Sequence, residues 1–569
     1  MFGGLIRHRK EILLAVTMIL SVPAIYARLA DVAGMAAQAV YLALLCAMWA
    51  GLIAAAYVLK SWLRWTMALI LALAAYYAGV YERATLQFMT YDAFITMLNS
   101  AAFAGEAMVQ NRAAFLGAII PAVILFVAIG LRSAKPIPIP ARLVAAVPLL
   151  AIGLLVTILF QRGGDGARGL PDSFAPLAYL TLAGYESAAG EVGPRQGVNI
   201  APDPGQAPRT IVLIVDESIA GQYLDINSSA GVPTPLSREW AGLSVHNYGI
   251  AASVTTCSIG SNVTLRFGGT RQDYQRINAT MPSIWAYARK AGLRTVYIDA
   301  QRSDGGLQNL MTETERAEIG SFIQFGAVDV QGRDMAAASE LIRLLADPEP
   351  KFILINKLGA HFPVHDKYPD SAMRFTPVLD RGKYADVTDT GSREGFAGSP
   401  EDWRRYRNSY RNTLLFNVGE FFERVLNEAN LANATLIYTS DHGQNLHELG
   451  APGLSTHCGS VPKPEEGAVP LVVLEGGQTP SLDWAAGMEA NRDRSSHYMI
   501  FPTLLRLMHY RADDIAATYG SSLVDPANDP LTFNARFNAR LNRDPVWTAI
   551  DPGRLAQPPV SDYAAAPTK

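Results

Sequence analysis

Five apolar runs crowd the first 160 residues of this chain, at roughly 11–28, 35–58, 63–81, 113–131 and 143–160. Each is about 18 residues or more and nearly free of charge, which as a helix suffices to cross ~30 Å of hydrocarbon. A cleaved signal peptide does not explain the first run, because no small-residue cleavage site follows it and four further runs do. The pattern predicts a bundle of five transmembrane helices. The spans hold almost none of the ionisable groups a transport pathway needs, which argues against a transporter.

The basic residues orient this bundle. Arg7, Arg9 and Lys10 precede the first run, Lys60 and Arg64 join the second to the third, and Arg132, Lys135 and Arg142 join the fourth to the fifth. The alternate loops carry few such residues, so the N-terminus is expected in the cytoplasm and everything beyond residue 160 on the far side. Between the third and fourth runs, Leu86 to Val109 places Leu86, Phe88, Met89, Phe94, Met97 and Leu98 at helical spacing. That is a short helix lying in the interface or one packed on the spans.

At 569 residues, 50% hydrophobic and 17% charged, the chain is too long for one domain and too polar for a membrane bundle alone. The division expected is a transmembrane domain over 1–162, a Gly/Pro/Ala-rich linker with room for a short helix over 163–208, a catalytic domain over 209–545 and a Pro/Ala-rich tail over 546–569. In the third part, β-branched runs (210–217, 295–300, 352–359, 434–443 and 469–476) alternate with helix-like segments such as 283–292, 334–346 and 409–430. Strands apolar throughout, with helical crossovers, predict an α/β domain with a mainly parallel sheet covered by helices on both faces. A net charge of −3 and no basic run in this part argue against nucleic acid as a partner.

Ligand sites in such sheets collect at the C-terminal ends of strands. The first strand ends in Asp216-Glu217-Ser218 and the 434–443 run ends in Asp441-His442-Gly443. The 352–359 run continues into Gly359-Ala360-His361-Phe362-Pro363-Val364-His365, and Ser455-Thr456-His457-Cys458-Gly459 lies downstream. Carboxylates and imidazoles from separate strand ends are the ligands of a zinc site. Ahead of an apolar helical run stands Ala252-Ser253-Val254-Thr255-Thr256-Cys257-Ser258-Ile259-Gly260-Ser261-Asn262. Hydroxyls there are either helix caps or a nucleophile whose neighbouring N–H groups hold phosphate oxygens.

This order of an acid-ended strand, a Thr-bearing turn, a Gly-x-His-x-Pro segment, Ser-Asp-His-Gly and a further His resembles the alkaline phosphatase/sulfatase superfamily. Within it the chain resembles the bacterial phosphoethanolamine transferases that modify lipid A, as in lipopolysaccharide, and related envelope molecules. GAHFPVHDKYP (359–369), RFTPV (374–378) and YRNTLLFNVGEFF (410–422) resemble segments of that family. The resemblance implies a multi-pass protein of the bacterial inner membrane with a periplasmic catalytic domain. It implies Zn²⁺, one ion with room for a second, held by Glu217, Asp441, His442 and the nucleophilic threonine. Thr255 is the expected nucleophile, because the family places Ser or another small residue three positions later and Ser258 stands there; Thr256, followed by Ile259, is the alternative. His361 and His457 are implied beside the site, binding phosphate, moving protons or holding the second zinc, with His365 as a further substrate contact.

The activity implied is ping-pong transfer of phosphoethanolamine from a phospholipid, phosphatidylethanolamine, to an envelope lipid or glycan through phosphothreonine, by a monomer. A phosphoglycerol transferase of the same superfamily and an inactive lipid-binding envelope protein are the other readings. Gln301-Arg302-Ser303-Asp304 stands where relatives carry Cys and Lys, which bears on the headgroup, and the formylglycine motif of true sulfatases is absent. Cys257 follows the expected nucleophile by two residues and Cys458 follows His457 directly. If both segments reach one zinc site, a disulfide, two buried thiols or a thiol at zinc are open outcomes.

Overall fold

The computed structural model describes residues 8–32, 34–57, 60–85, 88–99, 108, 111–133, 141–162, 164–189, 194–204, 209–380, 396, 398–450, 456–458, 461–477, 481–535 and 545–562. Two compact units form, one from the described residues up to 189 and one from those beyond.

In the first unit, four helical stretches are long and apolar enough to cross a membrane: Arg9–Asp31, Met35–Tyr57, Ser61–Thr85 and Arg112–Gly130. The first is broken at Ser21, just ahead of Pro23, which lacks the N–H a continuous helix would use. The fifth expected span, 143–160, lies on the 21-residue helix Ala141–Gln161, which is not one of these four, so the structure establishes four spans rather than five. Lys10 donates from Nζ to the carbonyls of Ile129 (3.0 Å) and Leu131 (2.7 Å), and Arg64 donates from Nε to that of Gly130 (2.9 Å). Two cations thereby satisfy the open carbonyl end of the Arg112–Gly130 helix.

Within the Leu86–Val109 segment, Tyr91–Asn99 is helical, and its Phe94 is buried against Tyr77 and Tyr179. That helix therefore packs on its neighbours. Leu86 and most of 100–110 lie outside the described residues. The stretch expected as linker carries a fifteen-residue helix, Ala175–Ala189, with Ala178, Tyr179 and Leu182 buried.

The second unit is built on a sheet of eight strands, β1 (Thr210–Asp216), β2 (Leu243–Ala252), β3 (Arg294–Asp299), β4 (Ser321–Gln324), β5 (Lys351–Asn356), β6 (Ala434–Ser440), β7 (Ala468–Gly476) and β8 (Ser495–Ser496), with a separate two-stranded sheet of Thr532–Asn534 and Trp547–Ala549. They lie in the order β4-β3-β5-β1-β6-β7-β2-β8. The sheet is mainly parallel. β7, read from sequence as one more strand of a parallel sheet, runs antiparallel to both β6 and β2. Every residue of β1, β5, β6 and β7 is buried. Alternate side chains serve two cores. Val212, Ile214, Ile353 and Leu436 pack with the helices Arg333–Ala346 and Pro400–Leu414, whereas Ile211, Leu213, Leu354 and Ile437 pack with Ile284–Lys290 and Ile500–Leu507.

The central strand β1 is flanked by β5 and β6, with Val215 opposite Asn356 and Asp216 opposite Ser440. Register alone thus sets the C-terminal ends of these three strands side by side. The helix beginning at Pro400 opens into a π-turn over Leu415–Glu420, where Asn417 donates from Nδ2 to the carbonyl of Gly359 (2.6 Å). A π-turn re-aims such a side chain without ending the helix.

Candidate active site

Glu217 leaves the end of β1 and Asp441 and His442 leave the end of β6, so adjacent parallel strands bring them to one point. Their ligand atoms all lie within 4.8 Å of one another, and the three residues are buried. His442 Nε2 is 3.2 Å from Glu217 Oε1 and 3.8 Å from Asp441 Oδ2. Its Nδ1 lies 2.8 Å from the carbonyl of Gly443, which can only accept, so Nδ1 carries the proton and Nε2 faces the carboxylates. The turn after β1 is fixed from three sides. Ser218, at φ 63°, donates its N–H to Asp441 Oδ1 (3.1 Å), Ile219 N donates to Ser440 Oγ (2.7 Å), and Ala220 N donates to Tyr410 Oη (2.8 Å).

Electrostatically the cluster is crowded. Burial opposes ionisation of Glu217, yet the hydrogen bond and charge of His442 hold its carboxyl well below the usual range. Asp441 is pushed up to about 8, first by burial and then by the charge of Glu217. His442 rises to about 10, against the burial that would lower it, because both carboxylates face it. Two buried acids competing around one imidazole are relieved by a shared cation. Asp441 Oδ2 is buried without a hydrogen-bond partner, as an atom reserved for such an ion would be. Two carboxylate oxygens and a neutral imidazole nitrogen fit zinc.

Below the cluster, fully buried Lys357 donates from Nζ to Asp216 Oδ2 (2.7 Å) and stands 3.6 Å from Asp334. Gly359 is required at this point. At its φ of 53° an added Cβ would stand 2.3 Å from Asp216 Oδ1 and 2.7 Å from Glu217 N. Gln301 donates from Nε2 to Glu217 Oε2 (3.2 Å) and to the Lys357 carbonyl (2.8 Å), holding the far carboxylate oxygen in place. Fully buried His497, kept neutral by that burial, lies with Nε2 3.1 Å from Thr439 Oγ1.

Of the residues expected from sequence, Glu217, Asp441 and His442 come together. His457 stacks on His442 with ring centroids 4.3 Å apart. The charge of His361 acts on Glu217, while its Nδ1 lies 2.8 Å from the Phe362 carbonyl. His365 is buried, 3.9 Å from Asp366. Thr255 and Thr256 are buried at 2% and 3% exposure. The Thr255 carbonyl accepts from Ser253 Oγ (2.8 Å), and the Thr256 carbonyl accepts from Cys458 N (3.3 Å). Ser258, partly exposed at the first position of the helix Ser258–Phe267, has its Oγ 3.4 and 3.3 Å from the Glu217 carboxylate oxygens and 3.4 Å from His442 Nε2.

Cys257 and Cys458 form a disulfide with Cα atoms 5.1 Å apart, which decides among the three cysteine outcomes. Ser455 and Gly459 of the same loop lie outside the described residues. Sequence reasoning passed over Ser258, Gln301, Lys357 and His497 as site residues. Of these, Gln301 stood where relatives have Cys and Lys, and Ser258 stood among the hydroxyls read as helix caps or a nucleophile.

Among curated proteins, the chain is 25% identical over 258 residues to the phosphoethanolamine transferase CptA of Salmonella typhimurium strain LT2, covering 44% of this chain and 42% of that one. It is 25% identical over 259 residues to the phosphoethanolamine transferase EptC of Escherichia coli K12, again 44% and 42%, and 21% identical over 322 residues to the phosphatidylethanolamine transferase Mcr-1 of Escherichia coli, 54% and 55%. The chain thus spans less than half the length of the first two and about half of the third. Among solved structures, the integral membrane lipooligosaccharide phosphoethanolamine transferase A (EptA) of Neisseria meningitidis superposes with TM-score 0.61 at 18% identity, over 90% of this chain and 98% of that one, a likeness of fold. The Sulfatase family model matches residues 209–510, more than half of the sequence, and the chain belongs to the Sulfatase family.

Proposed function

We propose that this chain transfers phosphoethanolamine from a phospholipid, phosphatidylethanolamine, to an envelope lipid or glycan of the lipid A type. The convergence of Glu217, Asp441 and His442 beside a side-chain hydroxyl carries the reading. The names of the CptA, EptC and Mcr-1 relatives support the headgroup. The chain works as a monomer in the inner membrane through five spans, with the N-terminus cytoplasmic and the second unit periplasmic. The basic residues of alternate loops support this topology.

Glu217, Asp441 and His442 would hold one zinc, with His361 and His457 placed for a second or for phosphate oxygens. Bound zinc supplies Lewis-acid stabilisation of charge on the phosphoryl and hydroxyl oxygens. A hydroxyl of the 255–258 segment, with Thr255 the one expected from sequence, takes the phosphoryl group and then yields it to the acceptor. His361 and His457 relay protons at the two oxygens that exchange.

Mass spectrometry of envelope lipids from cells with and without the gene tests this. A phosphoethanolamine-bearing species lost on deletion is the expected result. Loss of a phosphoglycerol-bearing species instead would move the assignment to that headgroup, and an unchanged envelope would retire the transferase reading.

A further inference from the structure

We infer that the hydroxyl that takes the phosphoryl group is that of Ser258. This deepens the transferase reading and rests on it. A hydroxyl that attacks phosphorus must be reachable by substrate, lie at the metal-binding groups and face donors for the phosphoryl oxygens. Ser258 meets all three conditions.

It is partly exposed, whereas Thr255 and Thr256 are closed off at 2% and 3%. Its Oγ lies 3.3 and 3.4 Å from the two carboxylate oxygens of Glu217 and 3.4 Å from His442 Nε2, hence against two of the three residues of the cluster. The other two hydroxyl residues lend their carbonyls to structure, Thr255 to Ser253 and Ser261 (2.8 and 3.5 Å) and Thr256 to Cys458. Thr255 is also bridged through its backbone to Asn534.

Ser258 opens a ten-residue helix whose N-cap, Cys257, makes no side-chain cap hydrogen bond. The first-turn N–H groups are thus left without a side-chain cap, beside the Ser258 hydroxyl, and N–H groups so placed receive phosphate oxygens. The disulfide at Cys257 and the Glu217 contact hold the serine from either side.

In the first half-reaction the Ser258 Oγ–P bond forms and the bond from phosphorus to the diacylglycerol oxygen breaks. The leaving oxygen keeps the bonding pair and takes the serine proton, so the alcohol departs neutral. In the second, an acceptor hydroxyl bonds to phosphorus, the Oγ–P bond breaks, and the acceptor's proton returns to Oγ. No oxidant or further reactant is needed.

The test uses the full chain in detergent, zinc-loaded, with micelles of phosphatidylethanolamine in one arm and phosphatidylglycerol in the other, followed by intact-mass analysis and peptide fragmentation. The expected result is an adduct on Ser258 that is lost in Ser258→Ala, retained in Ser258→Thr, and accompanied by unchanged zinc content and an intact Cys257–Cys458 bridge in both variants. An adduct on Ser258 from phosphatidylglycerol alone upholds the serine and overturns the ethanolamine headgroup. An adduct on Thr255 or Thr256, one that persists in Ser258→Ala, or none from either lipid overturns the assignment.

Discussion

Lys357 and Asp216 form an ion pair at 2.7 Å in which neither side chain is reached by solvent. Asp216 immediately precedes Glu217, so the pair anchors the carboxylate proposed to hold the metal through one peptide bond. Lys357→Ala leaves Asp216 and Asp334 buried without their cation and is expected to cost about 3–5 kcal/mol. Lys357→Met combined with Asp216→Asn removes both charges of the pair and should cost much less. Thermal unfolding of the purified chain, with zinc content measured alongside, distinguishes the two.

Zinc should be removable and should matter to stability as well as activity. Chelation is expected to abolish transfer and lower the unfolding temperature, with Zn²⁺ restoring both better than Mg²⁺, because the donor set includes imidazole. Glu217→Gln and Asp441→Asn should each reduce bound zinc in metal analysis. A preparation that holds only Mg²⁺ or Ca²⁺ at full activity would be incompatible with this site.

Glu448 gives a pH dependence of known sign. Burial pushes its carboxyl up to about 7 even though Tyr223 donates to it at 2.9 Å. A raised folded-state value means its contribution to stability is intact below about 4.5 and is lost as pH rises through about 7. Glu448→Gln keeps an acceptor for Tyr223 and cannot ionise. Its unfolding temperature relative to the wild type should therefore climb across that window and level off above it.

The Cys257–Cys458 bridge closes a sequence separation of 201 residues. Loop entropy of that length is worth at most about 5 kcal/mol. Alkylation of the denatured, unreduced protein should label Cys46 alone, and reductant should lower the unfolding temperature. Three reactive thiols would contradict the bridge.

Much of the second unit was legible because its strands are buried on both faces and read as unbroken apolar runs. β1, β3 and β7 fall within one residue of the runs that announce them, whereas the runs for β5 and β6 overshoot the strand ends by three residues. Glu217, Asp441 and His442 were legible for the same reason, being the first polar groups beyond those runs. β2 was not, since in its first half Leu243 and Val245 alternate with Ser244 and His246 and make no unbroken apolar run, and β8 is only two residues long. The direction of β7 was hidden too, because a strand buried on both faces reads the same whichever way it runs. In the Thr255–Ser258 segment, spacing alone does not separate one hydroxyl from the next. Three hydroxyls within four residues look alike in sequence, and only the point where the helix begins decides which one meets Glu217.

Lys10 and Arg64 are among the basic residues that mark one side of the bundle in the sequence, and in the folded unit both close the carbonyl end of Arg112–Gly130. If these cations also orient the chain during insertion, as the sequence leads one to expect, the same two charges would serve first as signal and then as mortar between helices. Loss of Lys10 or Arg64 should therefore loosen the helix packing whatever it does to orientation.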